Sequence, residues 1–255
     1  MKRNTLAAAV VLLGCVVAST AGAPEPVNNN AWALGEKLEY AVKYGPFSAG
    51  RSTFAVEGEE TVGGQKAVKF TSILTSSRAF FFKVYDSATS FSDFSSLYSL
   101  RYEKFQHEAD EKSSNVTVFN HTAARAVRTE DGKAHPSMTM VPYARDILGV
   151  IYYVRTQPLK VGKSIRIPVH DGKRDYNMEV VVRNKERVTV PAGQFDCLVV
   201  EPKLWQLDGN LKKKGQMVLW MTDDSRHLPV RIRMSIPVGS LVASLDKMTG
   251  VKPAL

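Results

Sequence analysis

From Glu36 onward the chain alternates apolar and polar residues with a period of two, the signature of half-buried β-strands. Leu38, Tyr40, Val42 and Tyr44 alternate with Lys37, Glu39, Ala41 and Lys43, and Gly45-Pro46 ends that run. The pattern resumes at Thr53–Val56. Gly63-Gly64 then forms a hairpin signal between Thr61-Val62 and Ala67–Leu74. Further strands are predicted at Val84–Phe91, Leu97–Gln106 and Ser114–Phe119, with Asp131-Gly132 as a turn. Ser164–Val169 and Tyr176–Val190 flank His170-Asp171-Gly172-Lys173, whose Asp-Gly step is the strongest hairpin signal in the chain. Pro191-Ala192-Gly193 leads into Phe195–Leu204. Gly215–Met221, Val230–Ile236 and Ser240–Leu245 complete the set, separated by Thr222-Asp223-Asp224-Ser225 and Pro237-Val238-Gly239.

One segment departs from this period. In Pro142–Arg155, the residues Ala144, Ile147, Leu148, Ile151 and Tyr152 recur at spacings of three and four. That predicts an amphipathic helix near residues 142–156, opening at Pro142 and stopped by Gln157-Pro158. Many short strands with one helix predict a mainly β fold: a curved antiparallel sheet or open β-barrel with the helix packed on it.

The first residues carry a different pattern. Lys2 and Arg3 precede an apolar stretch, Leu6–Val17, that is interrupted only by Gly14 and followed by Ser19-Thr20-Ala21. A positive start, an apolar centre too short for a membrane span and a small-residue end predict a signal peptide over 1–21. The mature protein is then expected in the periplasm. Leu12-Leu13-Gly14-Cys15 supports an alternative, a lipoprotein anchored to a membrane through acylated Cys15. Residues 22–33, rich in Pro and Asn, read as a flexible linker, and 34–250 as a single β-rich domain.

Composition fits a globular chain: 44% of the 255 residues are hydrophobic and 23% charged. The net charge of +9 includes Lys2 and Arg3. The remaining basic residues are dispersed, with a single run at Lys212-Lys213-Lys214, so no nucleic-acid partner is expected. Contact with an anionic membrane surface suits this charge better. Cys197 is the one cysteine after the signal region, and the fold must stand without an internal disulfide.

Catalytic patterns are sparse. None of His107, His121, His135, His170 and His227 lies three or four residues from another, so no metal site and no cofactor is expected, and the histidines read as surface residues. There is no Gly-x-Ser-x-Gly nucleophile elbow; Ser240 follows Gly239, but Leu241-Val242 after it reads as an ordinary strand. Cys197 within Phe195–Val200 reads as a buried apolar residue. Asp223 and Asp224 are the best carboxylate pair, but neighbours on a strand point to opposite faces and the sequence suits a plain turn. No catalytic residues are assigned, and the chain is read as a non-enzyme.

Phe80-Phe81-Phe82 is the most unusual run. With Tyr152 and Tyr153 on the helix, these residues are the candidates to line an apolar ligand site or a membrane-touching tip.

Several stretches together carry a resemblance. They are Leu34–Tyr40 with Lys43–Pro46 and Ala49-Gly50, Tyr152–Arg155, Pro158–Gly162, Val190–Cys197, Val200–Pro202, Leu219–Asp224 and Pro229–Ile232. The sequence resembles the bacterial domain-of-unknown-function family 3108, found in exported envelope proteins. The resemblance implies a β-rich exported protein of unassigned activity and carries over no site residues. The outline is also similar to the open barrels of periplasmic lipoprotein carriers, a likeness of fold alone. The expected function is binding of a lipid-like or amphipathic ligand such as an acyl chain. The alternative is an interaction module for an envelope protein or polysaccharide.

Overall fold

The computed structural model describes residues 24–76, 83–108, 110–208, 210–211, 216–236 and 239–254. The predicted signal, Cys15 and Phe80–Phe82 lie outside the described residues. Strands β1 (Lys37–Tyr44), β2 (Phe47–Val62), β3 (Gln65–Ser76), β4 (Val84–Asp93), β5 (Ser99–Glu108), β6 (Glu111–Asn120) and β7 (Arg125–Glu130) form a run of antiparallel neighbours. Short β8 (Lys133–Ala134) and β9 (Met138–Thr139) both pair with β7. After helix α1 (Gly149–Arg155) come β10 (Ser164–His170), β11 (Asp175–Val190), β12 (Gly193–Gln206), β13 (Met217–Thr222), β14 (Pro229–Ile236) and β15 (Gly239–Thr249).

These strands make one antiparallel sheet in the order β10-β11-β12-β13-β14-β15-β1-β2-β3-β4-β5-β6-β7-β8. The first strand therefore pairs with the last, Lys37 opposite Thr249 and Tyr44 opposite Leu241. Neighbouring strands otherwise follow the hairpins that the turn residues predict. Gly63 and Gly64 have φ of +57° and +81°, and Asp131-Gly132 has +48° and +79°, the left-handed pairs that two-residue hairpins require.

The sheet curls until its two ends meet without a continuous ladder. Segment 141–146 fills the seam. Ser99 N–H, at the start of β5, donates to Ala144 O at 3.2 Å; Arg145 N–H donates to Pro168 O at 3.0 Å, and His170 N–H to Arg145 O at 2.8 Å, both on β10. Phe119 of β6 and His170 meet edge to face at 5.4 Å.

The helix lies inside the curl and is shorter than the periodicity suggests. Tyr143 takes φ +59°, which breaks any helix from Pro142. The first turn starts instead at Asp146: Val150 N–H donates to Asp146 O, and Asp146 Oδ1 accepts N–H bonds from Leu148 and Gly149 at 2.9 and 2.7 Å. The side chain caps more effectively than Pro142 could, so the apolar spacing before it belongs to an extended strap.

Two further expectations change. Segment 24–33 is packed on the sheet: Val27 N–H donates to Ser95 O, Asn29 Oδ1 accepts from the N–H groups of Ala31 and Trp32, and Ala31 and Trp32 are buried. Its aromatic and apolar residues outweigh the Pro- and Asn-rich composition. His121 and His170 are buried as well, each held by seam contacts rather than exposed at a turn.

Candidate functional site: an apolar cleft under the helix

The strongest site is a cleft of about 220 Å³ between α1 and the concave face of β11–β13. Its roof follows one helical stripe, Ile147, Val150, Ile151 and Val154, spaced at i, i+3, i+4 and i+7. Its floor comes from alternate strand positions: Met178 and Val180 on β11, Val200 and Leu204 on β12, and Met217, Leu219 and Met221 on β13. Leu211 and Gln216 stand at one end. Glu201, Lys203 and Gln216 are the lining residues with polar side chains. Three methionines in so small a space give a wall that adapts to the shape of an apolar guest.

Both ends of the roof are fixed by buried polar groups. At the N-terminal end, Asp146 is fully buried. Its Oδ2 accepts from Ser90 Oγ at 2.6 Å and Ser99 Oγ at 2.5 Å, and Ser99 Oγ accepts from Asp146 N–H at 2.6 Å. Burial raises the Asp146 pKa, and these hydrogen bonds offset part of that rise. At the C-terminal end, Arg155 donates to Glu36 through Nη1 (2.5 Å) and Nη2 (2.9 Å), to Ala31 O at 2.9 Å and to Arg226 O at 3.1 Å. Burial alone would lower the Arg155 pKa; the bonded Glu36 carboxylate more than offsets it and holds the guanidinium charged.

The helix tyrosines serve other contacts. Tyr152 faces the opposite core, stacked on Phe70 at 3.9 Å between centroids, with its hydroxyl donating to Ala55 O at 3.2 Å. Tyr153 carries the guanidinium of Arg145 over its ring at 3.4 Å. Arg145 is itself buried and donates to Ser96 O at 3.0 Å; burial pushes its pKa down to about 10. The cleft uses the stripe between these two faces, and its members Ile147 and Ile151 belong to the same three-and-four spacing that marks the helix in the sequence.

The other chemistry-bearing residues are dispersed. Asp223 pairs with Lys185, whereas Asp224 pairs with Arg226 at 2.6 Å and accepts from Thr222 Oγ1 at 2.9 Å, so the two carboxylates do not share a site. Burial would raise the Asp224 pKa, but the bonds from Arg226 and Thr222 bring it below the usual carboxylate range. Cys197 is buried, and that burial pushes its thiol up to about 12. Among the described residues there is no cluster of three or more His, Cys, Asp or Glu that could hold a metal, and no helix long and apolar enough to cross a membrane.

Residues 39–246 match the model of a family described as protein of unknown function, DUF3108. The chain belongs to this family. No curated protein matches it. Among solved structures, the β-barrel-like DUF1849 protein from Brucella abortus is similar at a TM-score of 0.56 and 10% identity, over 87% of this chain and 99% of that one. The DUF3108 chain thus shares a barrel-like fold with a second family of unknown function. Weaker similarity, at TM-scores of 0.39 and 0.36, joins it to a protein described as a lipoprotein from Parabacteroides distasonis (13% identity) and one described as exported from Bacteroides fragilis (10%). Each comparison spans 86% of this chain and 97% of the other.

Proposed function

We propose that this DUF3108 protein is an exported, non-enzymatic binder that holds one acyl chain in the cleft beneath α1. The observation that carries the reading is the composition of that cleft: thirteen of its sixteen lining residues are apolar, and all but Leu211 come from a helical stripe and three strands that converge on a space not filled by side chains. Apolar walls favour an apolar guest by about 0.8 kcal/mol for each methylene removed from water. The cleft lies below the usual ~300–1,000 Å³ of sites for whole small molecules, which suits a single chain with its polar end left outside. Export rests on the signal pattern of residues 1–21, with the periplasm as destination and acylated Cys15 as the alternative anchor.

Native mass spectrometry of protein purified from cells, followed by titration of the delipidated protein with fluorescent palmitate, tests the reading. The expected result is a lipid-mass adduct and saturable binding that Leu219→Trp abolishes by filling the cleft. An unladen mass together with no saturable palmitate binding would overturn it.

A further inference from the structure

The same strands that floor the cleft present a second, chemically different surface on their other face. Along β11, Met178 and Val180 point into the cleft, and the alternate residues Asn177 and Glu179 line a groove of about 250 Å³. On β12, Leu204 faces the cleft and Trp205 the groove; Arg166 of edge strand β10 and Gln206 complete the polar wall. Cross-strand register sets these residues side by side, with Arg166 opposite Glu179 and Asn177 opposite Trp205.

We propose that this groove is a saccharide subsite that takes an uncharged pyranose against the Trp205 indole. Three observations support it. First, the indole is oriented before any ligand arrives. Trp205 Nε1 donates to Glu179 Oε2 at 3.2 Å, and Ser164 Oγ donates to Glu179 Oε1 at 3.2 Å, so the carboxylate fixes the ring. Second, the side chains of Arg166, Asn177 and Gln206 have no hydrogen-bond or ion-pair partner among the described residues. They offer a guanidinium fork and two carboxamides, flat donor and acceptor sets matched to adjacent hydroxyls. Third, the groove lining carries one cation and one anion, which favours a neutral guest over an anion. A pyranose has an apolar C–H face and a rim of hydroxyls; the groove has an aromatic platform and a rim of planar polar groups. The groove opens to solvent, which leaves room for a ring that belongs to a longer glycan.

Saturation-transfer NMR on the full mature chain tests the assignment, with maltotriose, cellotriose and chitotriose as probes. The expected result is transfer to the pyranose C–H protons of at least one trisaccharide, lost in Trp205→Ala and at least tenfold weaker in Arg166→Ala. Palmitate binding is expected to be unchanged in both variants, which separates this site from the cleft. Trp205→Phe, which keeps a ring and removes the N–H, guards against misfolding of the alanine variant and is expected to retain part of the transfer. No transfer to any of the three sugars, transfer unaltered in both Trp205 variants, or competition by millimolar inorganic phosphate would overturn the proposal.

Discussion

Arg155, near the end of the helix, and Glu36, just before the first strand, meet in a two-pronged ion pair with neither side chain exposed. Glu36 also uses its backbone carbonyl to accept from Val56 N–H, so the pair ties α1 to the open end of the β1–β2 hairpin. Removing one partner leaves a buried charge uncompensated, at a cost of about 3–5 kcal/mol. Glu36→Ala and Arg155→Ala are each expected to lower stability by that amount in urea unfolding. The double variant is expected to lose less than the sum, because the second change removes the stranded charge.

Acid is expected to weaken the seam. His121 Nδ1 accepts from Tyr143 N–H at 2.8 Å, and its Nε2 lies 2.6 Å from Ser99 O, an arrangement suited to the neutral ring. His170 Nδ1 likewise accepts from Gly172 N–H at 3.0 Å. Burial lowers both pKa values below 6.5; the Ser99 carbonyl and then Asp93 oppose this at His121, Asp175 and Asp171 oppose it at His170, and Arg145 adds to it at His121. A base with a depressed folded pKa is protonated first in the unfolded chain. The stability these rings contribute is therefore complete above about pH 6.5 and falls as pH drops from there toward the folded values. Asp175 acts in the other direction, since burial raises its pKa above 3.8, and it binds a proton more readily folded than unfolded. The measurable expectation is a urea midpoint that declines between pH 7 and pH 5.5, with a shallower decline in His121→Gln.

The thiol of Cys197 is expected to be inert in the native protein. It is fully buried, and that burial, reinforced by Asp196, holds its pKa near 12. An Ellman titration should show no reaction in buffer and one thiol per chain in denaturant. Rapid native labelling would contradict the packing of β12 against β13.

Gly50 is expected to resist substitution for lack of space. A Cβ there would stand 2.0 Å from Thr75 O, a backbone atom of the paired strand β3. Gly50→Ala must push β2 and β3 apart, with an expected loss of about 1–3 kcal/mol. Gly58→Ala, on the same strand with nothing within 4 Å, is the control and should cost far less.

Most of the strand framework is legible because alternation and turn residues act locally. Leu38, Tyr40 and Val42 are buried in turn, and Gly63-Gly64 closes the β2–β3 hairpin as its sequence predicts. The strap is not legible, because its conformation depends on distant partners. Ser99, His121 and Asp175 take the N–H groups of Asp146, Tyr143 and Val141, and none of them adjoins the strap in sequence. The cleft is half legible. Ile147 and Ile151 lie in the predicted amphipathic stripe, yet which of its members meet empty space and which meet Phe70 depends on how the sheet curls. Trp205 lies one residue beyond the predicted strand Phe195–Leu204; the observed extension of β12 to Gln206 and its register with β11 set it beside Asn177.

The pairing of β1 with β15 also imposes an order of events. A chain made from its N-terminus presents β1 long before β15 exists, so one edge of β1 stays open until the last strand arrives. The two wings of the sheet, β2–β9 and β10–β14, can each grow by successive hairpins, but the continuous ladder joins them through the pairs that β15 makes with β14 and β1. That final joining spans almost the whole chain, the kind of long-range closure that slows folding. During that interval the open edge of β1 is a template for pairing with another chain, a hazard that ends only when β15 covers it.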